Sequence, residues 1–128
     1  MLSINKKDNQ LVFAGKTPSD LEHIAGGTPC YIYDRNQIKN NIIALKTLLP
    51  KTIKLHYAIN SNPIPNLFAH SAHYLDGLDV ASHQELLTAL STGIDPRKIS
   101  IAGPGKTQKS LLAAIISGAV INVESKTE

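Results

Sequence analysis

Four short stretches hold the small and polar residues that a binding site needs: Ile59-Asn60-Ser61-Asn62, Val80-Ala81-Ser82, Ala102-Gly103-Pro104-Gly105 and Val123-Glu124-Ser125. Small residues let a ligand approach the backbone closely. Turns between a strand and a helix favour the same residue types, so composition leaves both readings open. Gly103-Pro104-Gly105-Lys106-Thr107 looks like the end of a phosphate-cradling loop. That loop needs a further glycine five positions before the Gly-Lys pair, where Ser100 stands inside a predicted strand, so nucleotide hydrolysis is not expected. His70 and His73 lie three apart on a predicted helix and could share a metal. No third ligand is near them, and a solvated helix face with no metal is expected. His56 is expected to be a packed core histidine, and Cys30, inside a predicted strand, is not expected to be a nucleophile.

The elements that must position these residues alternate. Leu11-Val12-Phe13-Ala14 reads as a brief strand. Thr17-Pro18 opens a helix, with a capping residue before a proline, and Gly26-Gly27 closes it. Cys30-Tyr31-Ile32-Tyr33 reads as a strand, and Asp34 as the cap of a helix whose Ile38, Ile42, Leu45 and Leu49 share one face. From there strands are predicted over 52–59, 77–81, 98–102 and 119–123, separated by helices around Leu67, Leu86 and Leu112. This repeat of roughly 22 residues implies parallel strands joined by right-handed helical crossovers. Four such units equal half of an eight-stranded barrel, whose usual length is ~250 residues, and an open four-stranded sheet is the alternative. The four stretches named first then all fall at the C-terminal ends of strands, where parallel α/β folds build their sites.

Composition narrows the function classes. Hydrophobic residues make up 42% of 128 residues, enough for one ordinary core. The net charge of +3 is spread along the chain rather than gathered in a stripe, so no nucleic-acid partner is expected. A single cysteine cannot form an internal disulfide, and no apolar run is long enough for a membrane span. Met1-Leu2-Ser3-Ile4-Asn5-Lys6-Lys7 lacks the apolar stretch of a signal peptide, so the cytoplasm is the expected compartment.

Several motifs in register resemble one family. Gly27-Thr28-Pro29-Cys30-Tyr31-Ile32-Tyr33-Asp34 resembles the lead-in of the diaminopimelate/ornithine/arginine decarboxylases. Tyr57-Ala58-Ile59-Asn60-Ser61-Asn62-Pro63 resembles their cofactor-lysine strand, and Gly77-Leu78-Asp79-Val80-Ala81-Ser82 with Glu85-Leu86 their second barrel strand. Ile101-Ala102-Gly103-Pro104-Gly105-Lys106-Thr107 and Ile121-Asn122-Val123-Glu124-Ser125 resemble the next two. The wording is most similar to the decarboxylases that accompany exosortase systems.

The resemblance implies a partial (β/α)8 barrel of about four parallel units that binds pyridoxal phosphate. Residues 1–33 would be a lead-in whose strand belongs to a separate β-domain, and residues 34–128 the first half of the barrel. It also implies an amino-acid substrate and a homodimer. In the family a lysine ends the first barrel strand and holds the cofactor as a Schiff base, and the cofactor ring accepts the electrons released as carbon dioxide leaves. Here Asn60 occupies that position. A carboxamide nitrogen is not a useful nucleophile, because its lone pair is delocalised into the carbonyl. Lys54 lies six residues upstream, ~20 Å away at the other end of the strand. By resemblance Ala58 would lie near the cofactor ring, and Asp79 would order the site by pairing with a basic partner. The family's later site residues fall beyond Glu128. The expectation is therefore an inactive chain that binds pyridoxal phosphate weakly or not at all and self-associates through uncovered barrel surfaces. Two alternatives stand beside it: a non-catalytic module that pairs with a complementary half barrel, and an alanine-racemase-like pyridoxal-phosphate protein.

Overall fold

The structure, a computed structural model, describes residues 5–7 and 9–128. Residues 1–4 and 8, including most of the stretch read above for a leader, lie outside the described residues. The chain divides into two compact units, residues 1–40 and 41–128.

In the first unit, β1 (Asn5–Lys7) pairs antiparallel with β2 (Gln10–Val12), with Lys6 opposite Leu11. The strand expected over 11–14 thus sits one residue earlier and ends sooner, because Ala14 turns the chain at a φ of 49°. Helix α1 (Pro18–Ala25) starts as anticipated: Thr17 Oγ1 accepts from the Asp20 N–H, Asp20 accepts from the Thr17 N–H, and Pro18 occupies the first turn. It stops at Gly26, whose φ of 77° suits glycine. The strand expected over Cys30–Tyr33 is absent. Its residue types favour strand, but a strand needs a neighbour, and no described segment pairs with it; Tyr31 is 92% exposed. Helix α2 (Arg35–Leu48) follows and carries the chain past the boundary at residue 40, and Asp34 Oδ1 accepts from the Asn36 and Gln37 N–H groups.

The second unit holds a parallel sheet of four strands in sequence order: β3 (His56–Ala58), β4 (Gly77–Val80), β5 (Ile99–Ile101) and β6 (Val120–Ile121). Helices α3 (Pro65–Ala72), α4 (His83–Leu90) and α5 (Gln108–Ser117) form the crossovers. This is the parallel α/β arrangement that the alternation predicts, with its strands in the order of the partial (β/α)8 barrel that the resemblance implies.

Register assigns each strand residue to a face. Tyr57, Leu78 and Ile99 align across the sheet, as do Val80, Ile101 and Ile121. Leu78, Val80, Ile99 and Ile101 are fully buried and cluster with Phe68 of α3, Leu86 and Ala89 of α4, and Ala114 of α5. The alternate residues Ala58, Asp79, Ser100 and Val120 align on the opposite face, and none of them is buried.

His56 shares that open face, which corrects the expectation of a packed core histidine: it is exposed. Its ring lies over Gly77, where a Cβ would come within 2.5 Å of His56 Cε1 and 2.3 Å of the Lys98 carbonyl oxygen. Only glycine fits there.

The strands are shorter than predicted. Residues 51–55 form a turn and lead-in, with the Ile53 N–H bonded to the Pro50 carbonyl, because β4 begins only at Gly77 and offers no ladder earlier. Ile59 leaves the strand for a turn of 3-10 helix over Ile59–Ser61.

Candidate functional site

The C-terminal ends of β3 to β6 lie side by side along one end of the parallel sheet, and position 60 follows the first of them. Asn60 is not the last strand residue but the middle of the 3-10 turn. That turn is firmly held. Ile59 is fully buried in the core cluster, so the next residue must face away, and Asn60 is exposed. The Asn62 N–H donates to the Ile59 carbonyl at 3.0 Å, and the Ser61 hydroxyl donates to the Ala58 carbonyl at 2.8 Å. Asn62 Oδ1 accepts from the Ile64 N–H and so leads the chain into α3. A side chain at position 60 is therefore presented from a fixed backbone at the mouth of the sheet.

Asp79 lies on the open face beside Ala58. It accepts a hydrogen bond from the Ser100 hydroxyl at 2.6 Å. The resemblance implied a basic partner; the partner held here is a hydroxyl one strand away, and no described basic side chain pairs with Asp79. Ala58 is exposed and leaves open space on that face.

At the end of β4, Ser82 caps α4 by accepting from the Glu85 N–H, and Glu85 Oε2 reaches back to the Ala81 N–H at 2.8 Å. His83 opens this helix, and its Nδ1 is buried without a hydrogen-bond partner.

Sequence reasoning treated Lys106 only as part of a motif, and its role emerges from the structure. Its side chain is fully buried. The ammonium donates to the Gly103 carbonyl at 2.6 Å and lies 3.2 Å from Glu128 Oε2 and 3.6 Å from Glu124 Oε1. Glu124 in turn accepts from the Gly103 N–H. The Gly103–Lys106 loop is thereby clamped to the residues that follow β6. Because its ammonium already has protein acceptors on three sides, Lys106 is not offered to a phosphate. The signal was present in the sequence: a lysine in a glycine-rich turn, with two glutamates after the next strand. The contact to the Glu124 N–H, and to a lesser extent Lys106, holds the Glu128 carboxyl below its ordinary range. Lys106→Met is expected to cost about 1–3 kcal/mol, since it strands the Gly103 carbonyl and its carboxylate neighbours. Urea unfolding of the two proteins checks this.

The remaining candidates separate from the mouth. The His70 ring meets Tyr74 edge-on with centroids 5.4 Å apart, and His73 caps the end of α3. Cys30 is an exposed free thiol, not a strand residue. Among the described residues no group of three or more His, Cys, Asp or Glu is arranged to hold a metal ion, and no helix is long and apolar enough to cross a membrane.

The resemblance would put covalent attachment of pyridoxal phosphate at position 60, which calls for a primary amine, and Asn60 offers only a carboxamide. The residues present do not fit that attachment.

Comparison with known proteins places these features. The chain is 35% identical over 123 residues to diaminopimelate decarboxylase of Aquifex aeolicus, covering 95% of this chain and 29% of that protein. It superposes on a crystal structure from Aquifex aeolicus with a TM-score of 0.86 at 34% identity, over 96% of this chain and 31% of the other. It also superposes on the diaminopimelate decarboxylase of M. jannaschii in complex with L-lysine, with a TM-score of 0.81 at 29% identity, over 98% of this chain and 31% of that one. The chain thus spans about three tenths of the length of these relatives. Residues 35–128 match the family described as "Pyridoxal-dependent decarboxylase, pyridoxal binding domain", and the chain belongs to that family of pyridoxal-dependent decarboxylases.

Proposed function

We propose that this chain supplies the first βα units of a diaminopimelate-decarboxylase-type barrel in which covalent capture of the cofactor at position 60 has been lost. In this reading residues 1–33 are the lead-in to a β-domain and residues 34–128 the barrel segment. The observation that carries it is Asn60, exposed on a rigid turn at the end of β3, where the aligned motif calls for an amine. The fixed backbone supports the reading: hydrogen bonds from the Ser61 hydroxyl and the Asn62 N–H, and the buried Ile59, hold the turn that carries position 60. The substrate class favoured is an amino acid of the diaminopimelate type, by similarity to the relatives. In this reading cofactor binding is weak or absent, with no covalent attachment at position 60.

The test joins residues 1–128 to the downstream part of the Aquifex aeolicus relative. The Asn60 hybrid is expected to release carbon dioxide from diaminopimelate at least ~10³-fold more slowly than the Asn60→Lys hybrid, the scale of losing a covalent catalyst. Comparable rates from the two hybrids would overturn the reading.

A second reading, a non-catalytic module that pairs with a complementary half barrel, is favoured by the outer edges of β3 and β6. Neither edge is paired to a described strand, and Ile115 and Ile116 of α5 are 66% and 77% exposed. Sedimentation that shows only monomer at high concentration would count against self-association through these surfaces.

A further inference from the structure

The end of the sheet opposite Asn60 carries a cluster that the decarboxylase reading does not use. A cavity of about 190 Å³ is lined by Lys46, Leu49, Pro50, Lys51, Ile53, Lys54 and Asp76. It lies at the N-terminal ends of the strands, since Asp76 immediately precedes β4 and Leu55 immediately precedes β3.

Charge bookkeeping around this cavity is lopsided. The one carboxylate, Asp76, is fully engaged: Oδ1 accepts from the Lys46 ammonium at 2.8 Å and Oδ2 accepts from the Leu55 N–H at 2.8 Å. Lys46 also donates to the Tyr74 carbonyl at 3.3 Å. The Leu55 N–H, then Lys46, then the more distant Lys54, hold the Asp76 carboxyl below the usual carboxylate range, so it stays ionised and keeps Lys46. Lys51 and Lys54 are left over. Both are exposed, and among the described residues neither has an ion-pair or hydrogen-bond partner. Leu49, Pro50 and Ile53 give the same cavity an apolar wall. Two lysines without carboxylate partners, lining one cavity with a neutralised ion pair and an apolar wall, suit a small dianion with a short carbon stem.

We propose that this cavity binds a phosphate group, with Lys51 and Lys54 as its counter-charges. Lysine acts here as a point charge, and two of them match a phosphate dianion. The proposal is independent of position 60 and of any decarboxylase activity.

The test is titration of the full chain with inorganic phosphate and, separately, with glycerol phosphate, by calorimetry at constant ionic strength set with chloride. Saturable binding at one site is expected, weakened about tenfold in the Lys51→Gln/Lys54→Gln double variant, the scale of two exposed charge pairs. Both lysines are exposed, so the double variant is expected to melt with the parent. Equal affinity for the two probes assigns the site to free phosphate, and tighter glycerol phosphate binding assigns it to a phosphate monoester seated on the apolar wall. Heat that chloride alone reproduces, or affinity unchanged in the double variant, would overturn the proposal.

Discussion

Incubated with pyridoxal phosphate and reduced with borohydride, the chain is expected to yield no adduct on the peptide carrying position 60, and Asn60→Lys is expected to yield one. The difference is all or none at that site, because the chemistry depends on an available lone pair. A primary amine adds to the aldehyde and loses water, whereas a carboxamide nitrogen does neither usefully. Geometry decides that the variant should succeed. The new side chain would stand on the same 3-10 turn, anchored by buried Ile59 and by the Ser61 and Asn62 hydrogen bonds, and would project from an exposed position. Other amines serve as internal controls. Lys51 and Lys54 are exposed at the far end of the sheet and should label equally in both proteins. Lys106 should label in neither, since its ammonium is buried among the Gly103 carbonyl, Glu124 and Glu128. Site-resolved mass mapping reads all four positions at once. Labelling of the position-60 peptide in the variant no greater than that of the Lys106 peptide would show that the turn does not present the side chain as argued.

The parts of this architecture that could be read from sequence are those governed by local rules. Thr17 before Pro18 and Asp34 before α2 read as helix caps, and in the structure each side chain accepts from the first turn of its helix. The alternation of apolar runs with amphipathic segments gave four parallel strands in order, because each strand buries one face under a helix. Strand lengths were not legible. Cys30 to Tyr33 has strand-forming residues and no strand, and 52–59 shortens to His56–Ala58, because ladder pairing depends on a neighbour distant in sequence.

The site divides in the same way. Asn60 at the mouth follows from the motif, while its setting on a turn rather than in the strand does not. The Ser100 hydroxyl on Asp79 and the clamp of Lys106 across β5 and β6 join residues about 20 positions apart, and only the register brings them together. His56 was misjudged for a related reason: a histidine in an apolar run reads as core, yet the pleat turns it to the uncovered face.

That one-sided sheet makes its single core unusually exposed to truncation. Phe68 is the largest fully buried side chain and packs in one cluster with Ile59, Leu78, Val80, Ile99 and Ile101. Ala58, Asp79, Ser100 and Val120 on the opposite face are not buried, so that face supplies no second core to compensate for a void. Phe68→Ala is expected to cost about 3–5 kcal/mol, the usual range for emptying an aromatic site in a packed core. Small domains are stable by only about 5–15 kcal/mol, so this is a large share of the whole. The melting midpoint should fall by more than ~10 °C. Leu112→Ala on α5 is the control; Leu112 is 57% exposed, and its loss should change stability by no more than ~0.5 kcal/mol. Because Ile59 belongs to the same cluster and sets the direction of position 60, partial loosening has a second consequence. The combination of Phe68→Ala with Asn60→Lys should trap less pyridoxal phosphate at position 60 than Asn60→Lys alone, at temperatures where both remain mostly folded. A Phe68→Ala protein that melts within 2–3 °C of the parent would mean that the apolar face of this sheet does not carry the fold.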